Sequence, residues 1–177
     1  MGSYEIRTVG DPVLRTVTDE VTNIDASLVK VTDNMFSSMY DAAGIGLAAP
    51  QVGIQKRFFV YDHGEHSGVI LNPKIVESDR EWVFEEACLS IPGLSWEIIR
   101  PKTIHLVGID LNGNEVSIEA DELEARLFQH EIDHLNGVLL LDLLDDESRR
   151  QALSKLRELD LRRTPRPPLD PGELRLP

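Results

Sequence analysis

The chain has 177 residues, with 18 basic and 31 acidic side chains and a net charge of −13. This length corresponds to about one domain, and a composition that is 41% hydrophobic and 28% charged excludes collagen, low-complexity and wholly disordered classes. The negative charge disfavours nucleic-acid binding in general, because phosphate would be repelled over most of the surface, so we expect no DNA partner.

The single cysteine excludes an intrachain disulfide and fits a reducing compartment. No run approaches the roughly 18 consecutive apolar residues that a membrane span requires. Residues 1–11 show neither the apolar region nor the cleavage site of a signal peptide. We therefore expect a cytoplasmic protein with no membrane partner.

The first predicted element is a helix over residues 25–43, with Asp25 as its N-cap and Gly44 as its stop. A Gly/Ala-rich segment over 44–51 follows. Strand-like runs then cover residues 57–61, 69–76, 82–91 and 103–110. The pair Asn112-Gly113 is a strong signal for a hairpin turn.

A second helix is predicted over residues 122–136, capped by Asp121 and ended by Gly137 in a left-handed turn. A last helix is predicted over 146–163. Five of the fourteen residues over 164–177 are proline, which predicts an extended or disordered tail. The elements together predict one α+β domain over residues 1–163, followed by that tail.

Two histidines four residues apart give the sharpest functional signal, in the segment His130-Glu131-Ile132-Asp133-His134. Side chains at this spacing on a helix point the same way, so both imidazoles can hold one metal ion. Glu131 between them can act as a base toward water at that metal. The alternative is a pair of surface histidines, but Leu123 and Leu127 share the face and indicate that it is buried.

A catalytic zinc or iron site needs a third protein ligand and an open position. In zinc proteases that ligand lies downstream of the helix, but here Leu140 stands where a third histidine is expected. Cys88 is the better candidate, because one thiolate and two imidazoles form a reasonable ligand set. A lone cysteine is more often a small buried hydrophobic residue, so this assignment depends on the histidine pair.

Three motifs of the chain resemble those of the peptide deformylases, in the order and spacing of that family. They are residues 44–51 (GIGLAAPQ), residues 86–90 (EACLS) and residues 129–134 (QHEIDH). The resemblance runs from about residue 4 to about residue 163 and leaves out the tail. It implies antiparallel or mixed β-sheets packed around a central metal-binding helix, with a C-terminal helix.

The resemblance also implies a reaction, the removal of the formyl group from N-formylmethionine at the start of newly made proteins. By this resemblance, one divalent metal ion activates water for attack at the formyl carbon, and its ligands are Cys88, His130 and His134. Glu131 takes the proton of the water and delivers it to the leaving amine. The Gln51 side-chain amide and the Leu89 backbone N–H donate hydrogen bonds to the oxyanion.

The same resemblance places an extended peptide along the first motif, where Gly44 and Gly46 leave room for it. The methionine side chain is expected in an apolar pocket, with the stem of Arg126 on its wall and the charge of that residue held toward solvent. The residues expected to bind substrate are Ile45, Gly46, Leu123, Arg126 and Leu127. For Leu123 and Leu127 the alternative is plain core packing.

Two further expectations concern the second motif. Glu86 and Arg100 should form an ion pair that steadies it. Ala87 stands where the family usually has glycine, and we expect its methyl group to alter substrate contacts without displacing Cys88. The alternative is a deformylase-like protein with reduced activity.

The resemblance leaves the metal open: Fe²⁺ is expected in the cell, and Zn²⁺ or Ni²⁺ in a purified sample. The expected partners are N-formylmethionyl nascent peptides. Residues 149–166 carry seven basic and two acidic side chains, which is typical of a solvated helix face or of a contact with ribosomal RNA.

Other interpretations stay open. His63 and His66 lie in the segment 62–67, where an exposed turn is favoured over a second metal site. The whole chain could instead be a metal-dependent protease or another amidase, which the missing downstream ligand disfavours. It could also be a non-enzymatic metal- or peptide-binding module, for which Ala87 is the supporting feature.

Overall fold

The structure, a computed structural model, describes residues 2–163, so the predicted tail over 164–177 lies outside the described residues. Its strands are β1 (Gly46–Ala48), β2 (Phe58–Asp62), β3 (Ser67–Cys88), β4 (Ile91–Ile109) and β5 (Glu115–Asp121). Its α-helices are α1 (Ala26–Asp41), α2 (Glu122–Leu135) and α3 (Asp146–Arg163). The predicted α+β class is confirmed.

The five strands form one sheet in the order β1-β2-β3-β4-β5, and every neighbouring pair is antiparallel. The predicted runs 69–76 and 82–91 are largely joined in the single strand β3. Register shifts within residues 71–77 mark irregular pairing at which the long strand stays paired with β4. The predicted hairpin is present, with Gly113 at a φ of +82° between β4 and β5.

Both predicted N-caps occupy their positions, but only one acts through its side chain. Asp25 accepts hydrogen bonds from the backbone N–H groups of Ser27 and Leu28 at 2.9 and 3.1 Å. The Asp121 side chain makes no cap hydrogen bond to α2. Gly137 follows α2 with a φ of +73°, the left-handed conformation that the sequence predicts.

Packing of its apolar face fixes the orientation of helix α2. Phe128 and Leu135 are fully buried in one core cluster with Phe59 of β2 and Leu106 of β4. Because this packing sets the rotation of the helix about its axis, it also sets the direction in which His130, Glu131 and His134 point. The core therefore positions the candidate site.

The described residues divide into two compact units, the first ending at Leu143 and the second beginning at Leu144. The second unit contains α3, over the span that the sequence predicts, and Asp145 caps it by accepting from the N–H groups of Glu147 and Ser148, both at 2.9 Å. The assignment of residues 1–163 to one catalytic domain stays a prediction. Within residues 2–163 we find no helix long and apolar enough to cross a bilayer.

Candidate metal centre and substrate groove

The three predicted metal ligands come together where β3 ends beside α2. One donor atom each of Cys88, His130 and His134 lies within 4.8 Å of the other two, and Cys88 Sγ is 3.2 Å from His134 Nε2. The two imidazole rings meet edge to face with their centroids 5.0 Å apart. Tetrahedral zinc, with bonds of about 2.0 Å to nitrogen and about 2.3 Å to sulfur, holds such atoms roughly 3.5 Å apart. The donor set therefore fits one divalent ion.

Electrostatics favour the ligand form of Cys88. Burial raises the pKa of its thiol, but His134 and His130 outweigh burial and hold that pKa well below its ordinary value. The thiolate is the form that binds metals. A thiolate with two imidazoles suits zinc and the other late first-row divalent ions.

Glu86 holds the His130 ring in place. Its Oε2 atom lies 3.0 Å from His130 Nδ1, which leaves the Nε2 atom of that ring to face a metal. The same carboxylate accepts hydrogen bonds from Arg100 Nε and Nη2 at 2.6 and 3.0 Å, so the predicted ion pair is present. Burial raises the pKa of Glu86, but the hydrogen bonds from His130 and Arg100 outweigh burial and lower it to about 2.

Among the predicted site residues, Arg126 departs most from the expected solvent exposure. Its side chain is 3% exposed, so the expectation of a charge held toward solvent is corrected. The guanidinium donates to Glu86 and to the carbonyl oxygens of Ile98 and Trp82, and it lies 4.9 Å from the centroid of the Trp82 ring. A buried carboxylate, two carbonyl groups and an aromatic face together compensate the two terminal nitrogens of the guanidinium for the water lost on burial. The Arg126 side chain still lines the cavity.

Glu131 lies buried at the floor of the site with its Oε2 atom unpartnered among the described residues. Burial raises the pKa of its carboxyl to about 7, while His130 and His134 act in the opposite direction. A Cβ atom at Gly46 would overlap this carboxylate and lie 2.5 Å from Leu127 Cδ1. Glycine at position 46 therefore permits β1 to approach α2, a reason that the sequence did not reveal.

Gln51 is directed toward the predicted metal ligands by its own hydrogen bonds. Its Oε1 atom accepts from the Ala48 N–H at 2.8 Å, and its Nε2 atom donates to Ser90 Oγ at 3.1 Å and lies 3.9 Å from Cys88 Sγ. Leu89 follows Cys88 in the turn between β3 and β4. Ser90 is a site residue that the sequence analysis did not single out.

An open cavity of about 650 Å³ lies above these groups. Ile45 and Leu123 are apolar yet 41% and 44% exposed, whereas Leu127 is buried. Ala87 is exposed and is not among the described residues with positive φ, so alanine strains no backbone there. The cavity brings together most of the predicted site, and its lining includes Ile45, Gly46, Ala87, Cys88, Leu89, Leu123, Arg126, Leu127, His130 and Glu131.

The sequence and the fold both match known proteins. Residues 3–150 match the family profile described as polypeptide deformylase. A peptide deformylase of Halothermothrix orenii is 48% identical over 144 residues, which cover 80% of this chain and 94% of that protein. The crystal structure of a peptide deformylase from Legionella pneumophila has a TM-score of 0.87 at 38% identity and covers 93% of this chain and 100% of that one.

A further crystal structure, peptide deformylase from Ehrlichia chaffeensis in complex with actinonin, also has a TM-score of 0.87. It is 39% identical and covers 93% of this chain and 100% of that one. These matches extend over most of the chain and most of each relative. The chain therefore belongs to the polypeptide deformylase family of metal-dependent enzymes, which remove N-formyl groups.

Proposed function

We propose that this chain removes the formyl group from N-formylmethionyl peptides at the start of newly made proteins and releases formate. The observation that carries the proposal is the convergence of Cys88, His130 and His134 beside Glu131 under an open groove. These three ligands would hold one divalent ion, which when bound supplies Lewis-acid activation of water and of the formyl group.

Glu131 is the proposed general base and acid. It accepts a proton from the attacking water at its Oε2 atom, which has no other partner among the described residues. It then delivers that proton to the methionine nitrogen as the bond between this nitrogen and the formyl carbon breaks. Burial raises the pKa of this carboxyl above its ordinary value, and a raised pKa helps a general base to return the proton that it has taken.

Gln51 and Leu89 are the proposed oxyanion donors. The contacts of Gln51 with Ala48 and Ser90 hold its amide beside the candidate metal ligands, which preorganises this donor for the charge that develops on the formyl oxygen. Loss of one such donor in known enzymes lowers kcat by about 10²- to 10³-fold.

The substrate peptide is proposed to add to β1, which lies at one edge of the sheet. The exposed side chains of Ile45 and Leu123 mark the rim of the groove, since solvent-exposed apolar groups around a cavity are typical of ligand sites. Gly46, Leu127 and the stem of Arg126 complete the proposed methionine pocket.

Fe²⁺ is the proposed metal in the cell, and Zn²⁺ or Ni²⁺ the metal in a purified sample, since a thiolate with two imidazoles accepts each of them. The proposed location is the cytoplasm, where nascent peptides emerge.

A contact with ribosomal RNA through α3 is proposed as well. Arg149, Arg150, Lys155 and Arg157 are exposed on this helix, and phosphate contacts make binding sensitive to salt. The K155E/R157E variant should lose sedimentation with ribosomes, and added salt should release the wild-type chain. Ribosome binding that is unchanged by added salt and by the K155E/R157E substitutions would contradict the proposal.

The function is tested by offering the metal-loaded chain a formyl-Met-Ala-Ser peptide, its acetyl counterpart and an unfolded protein. We expect formate from the first, little acetate from the second and no internal cleavage of the third. Internal cleavage would point to a metalloprotease. Peptide binding without turnover would point to a non-enzymatic module.

A further inference from the structure

A second group of metal-ligating side chains lies where the turn between β2 and β3 meets the start of α2. It consists of His63, His66 and Glu124, with one ligand atom of each within 4.8 Å of the other two. His63 Nε2 and His66 Nδ1 each lie 3.1 Å from the same atom, Glu124 Oε1. The segment is a turn, as the sequence indicates. The His66 side chain is 65% exposed, whereas those of His63 and Glu124 are only 10% and 15% exposed.

We propose that His63, His66 and Glu124 form a second, peripheral Zn²⁺ site. Two imidazole nitrogens and one carboxylate oxygen are a set that zinc proteins use, with water in the fourth position. The set contains no sulfur, so its chemistry differs from that of the Cys88 centre.

The two distances from the histidine nitrogens to the Glu124 oxygen are close to those at a shared ion. Zinc bonds to nitrogen and oxygen are about 2.0 to 2.2 Å, so tetrahedral geometry holds two such ligand atoms roughly 3.3 Å apart. Each histidine nitrogen is 3.1 Å from the Glu124 oxygen, and these atoms need to separate by only a few tenths of an ångström. The alternative is a pair of hydrogen bonds from both imidazoles to one oxygen, and the experiment below distinguishes the two.

Contacts within and next to the turn order the two imidazoles before a metal ion binds. The His63 N–H donates to the His66 carbonyl oxygen at 3.2 Å, and Asp62 Oδ1 accepts from the Gly64 N–H at 2.9 Å. The His63 ring stacks on Tyr61, and it meets the His66 ring edge to face with the centroids 5.5 Å apart. Ordering of the ligands before the ion arrives reduces the entropy lost on binding.

The charge around the site also favours a cation. Glu124 lies in the first turn of α2 and supplies the anionic ligand of the set. The net charge of the chain is −13, which attracts divalent cations. A bound ion would tie the β2–β3 turn to the helix that carries His130 and His134, so it would act as a structural clamp.

The proposal is tested on the full chain without a histidine tag. The protein is dialysed against buffered micromolar Zn²⁺, and the bound zinc per chain is measured by mass spectrometry. We expect two zinc ions in the wild type and one in the H66Q and E124Q variants. H105Q is the matched control, because His105 lies on β4 and contacts Ser117 at 2.8 Å, and it should keep both ions.

Thermal unfolding supplies a second readout. The second equivalent of Zn²⁺ should raise the Tm of the wild type and of H105Q, and it should leave the Tm of E124Q unchanged. A wild-type chain that binds a single zinc ion would overturn the proposal. So would a second equivalent that H66Q and E124Q retain.

Discussion

Arg126 and Glu86 form a buried ion pair, with side chains 3% and 5% exposed, and the same carboxylate contacts Nδ1 of the metal-centre histidine His130 at 3.0 Å. Arg100 donates to this carboxylate from a second side. One buried negative charge thus joins two cations to an imidazole of the candidate metal centre. Such outer contacts orient the ligands of a metal site.

Replacing Glu86 by glutamine should weaken both the fold and metal binding. The two guanidinium groups lose their shared anion, and removal of one partner from a buried pair costs about 3–5 kcal/mol. Loss of the charge from the acceptor of His130 should lower metal affinity about 10- to 100-fold. Urea unfolding and competition with a chelator measure the two effects.

The R126M variant is the matched control for E86Q. Glu86 keeps Arg100 and His130 in this variant, so we expect metal affinity close to that of the wild type. An equal loss of metal affinity in R126M and E86Q would contradict the role assigned to the contact between Glu86 and His130.

The E131Q variant should keep its metal and lose turnover. Glutamine has the size of glutamate but accepts no proton, so kcat should fall by about 10²- to 10⁴-fold, the usual range for general acid–base catalysis. E85Q makes the same change of charge at an exposed residue on the cavity and should leave kcat near the wild-type value. Retention of most activity by E131Q would rule Glu131 out as the base.

Alanine at position 46 should impair catalysis because its methyl group clashes with side chains of the protein itself, not because it blocks the substrate peptide. The new methyl group would overlap the Glu131 carboxylate and press on Leu127, so both kcat and the free energy of unfolding should fall. G2A is the control, since a Cβ atom there meets nothing nearer than 3.8 Å. A G46A variant that changes KM alone would instead indicate that Gly46 serves to leave room for the substrate peptide.

Local pattern predicted the candidate ligands of this site, and the family resemblance predicted the pair of Glu86 and Arg100, but neither predicted the contact of Arg126 with Glu86. Helical spacing relates His130 to His134, and the need for a third ligand makes Cys88 the natural choice. The contact between Arg126 and Glu86 joins residues 40 positions apart. It depends on how β3 crosses α2, which no local pattern encodes. Glu124 meets His63 and His66 for the same kind of reason, across 61 and 58 positions.

The N-cap of α1 should make a pH-dependent contribution to stability. Hydrogen bonds from the Ser27 hydroxyl and the Leu28 N–H lower the pKa of Asp25 below its ordinary value of 3.8. The native chain therefore holds this proton less tightly than the unfolded chain does. The stabilisation by the Asp25 cap is complete above pH 3.8, the ordinary pKa of the group. It is lost as the pH falls through the lower pKa that Asp25 has in the native chain.

Urea unfolding of the wild type and D25A at several pH values tests this sign. The wild type should be more stable at neutral pH, and the difference should shrink in acid. D25N keeps a side-chain cap without the charge, so its stability relative to D25A should vary less with pH. A difference between the wild type and D25A that grows as the pH falls would contradict the assignment.

Formate release tests the central claim most directly. The chain is purified without oxygen, given a formyl-Met-Ala peptide, and its bound metal is quantified in the same sample. We predict rapid release of formate that scales with metal at the Cys88, His130 and His134 centre. No formate from a folded sample fully loaded with iron or nickel would contradict the account, because the motifs would then hold a metal without performing this reaction.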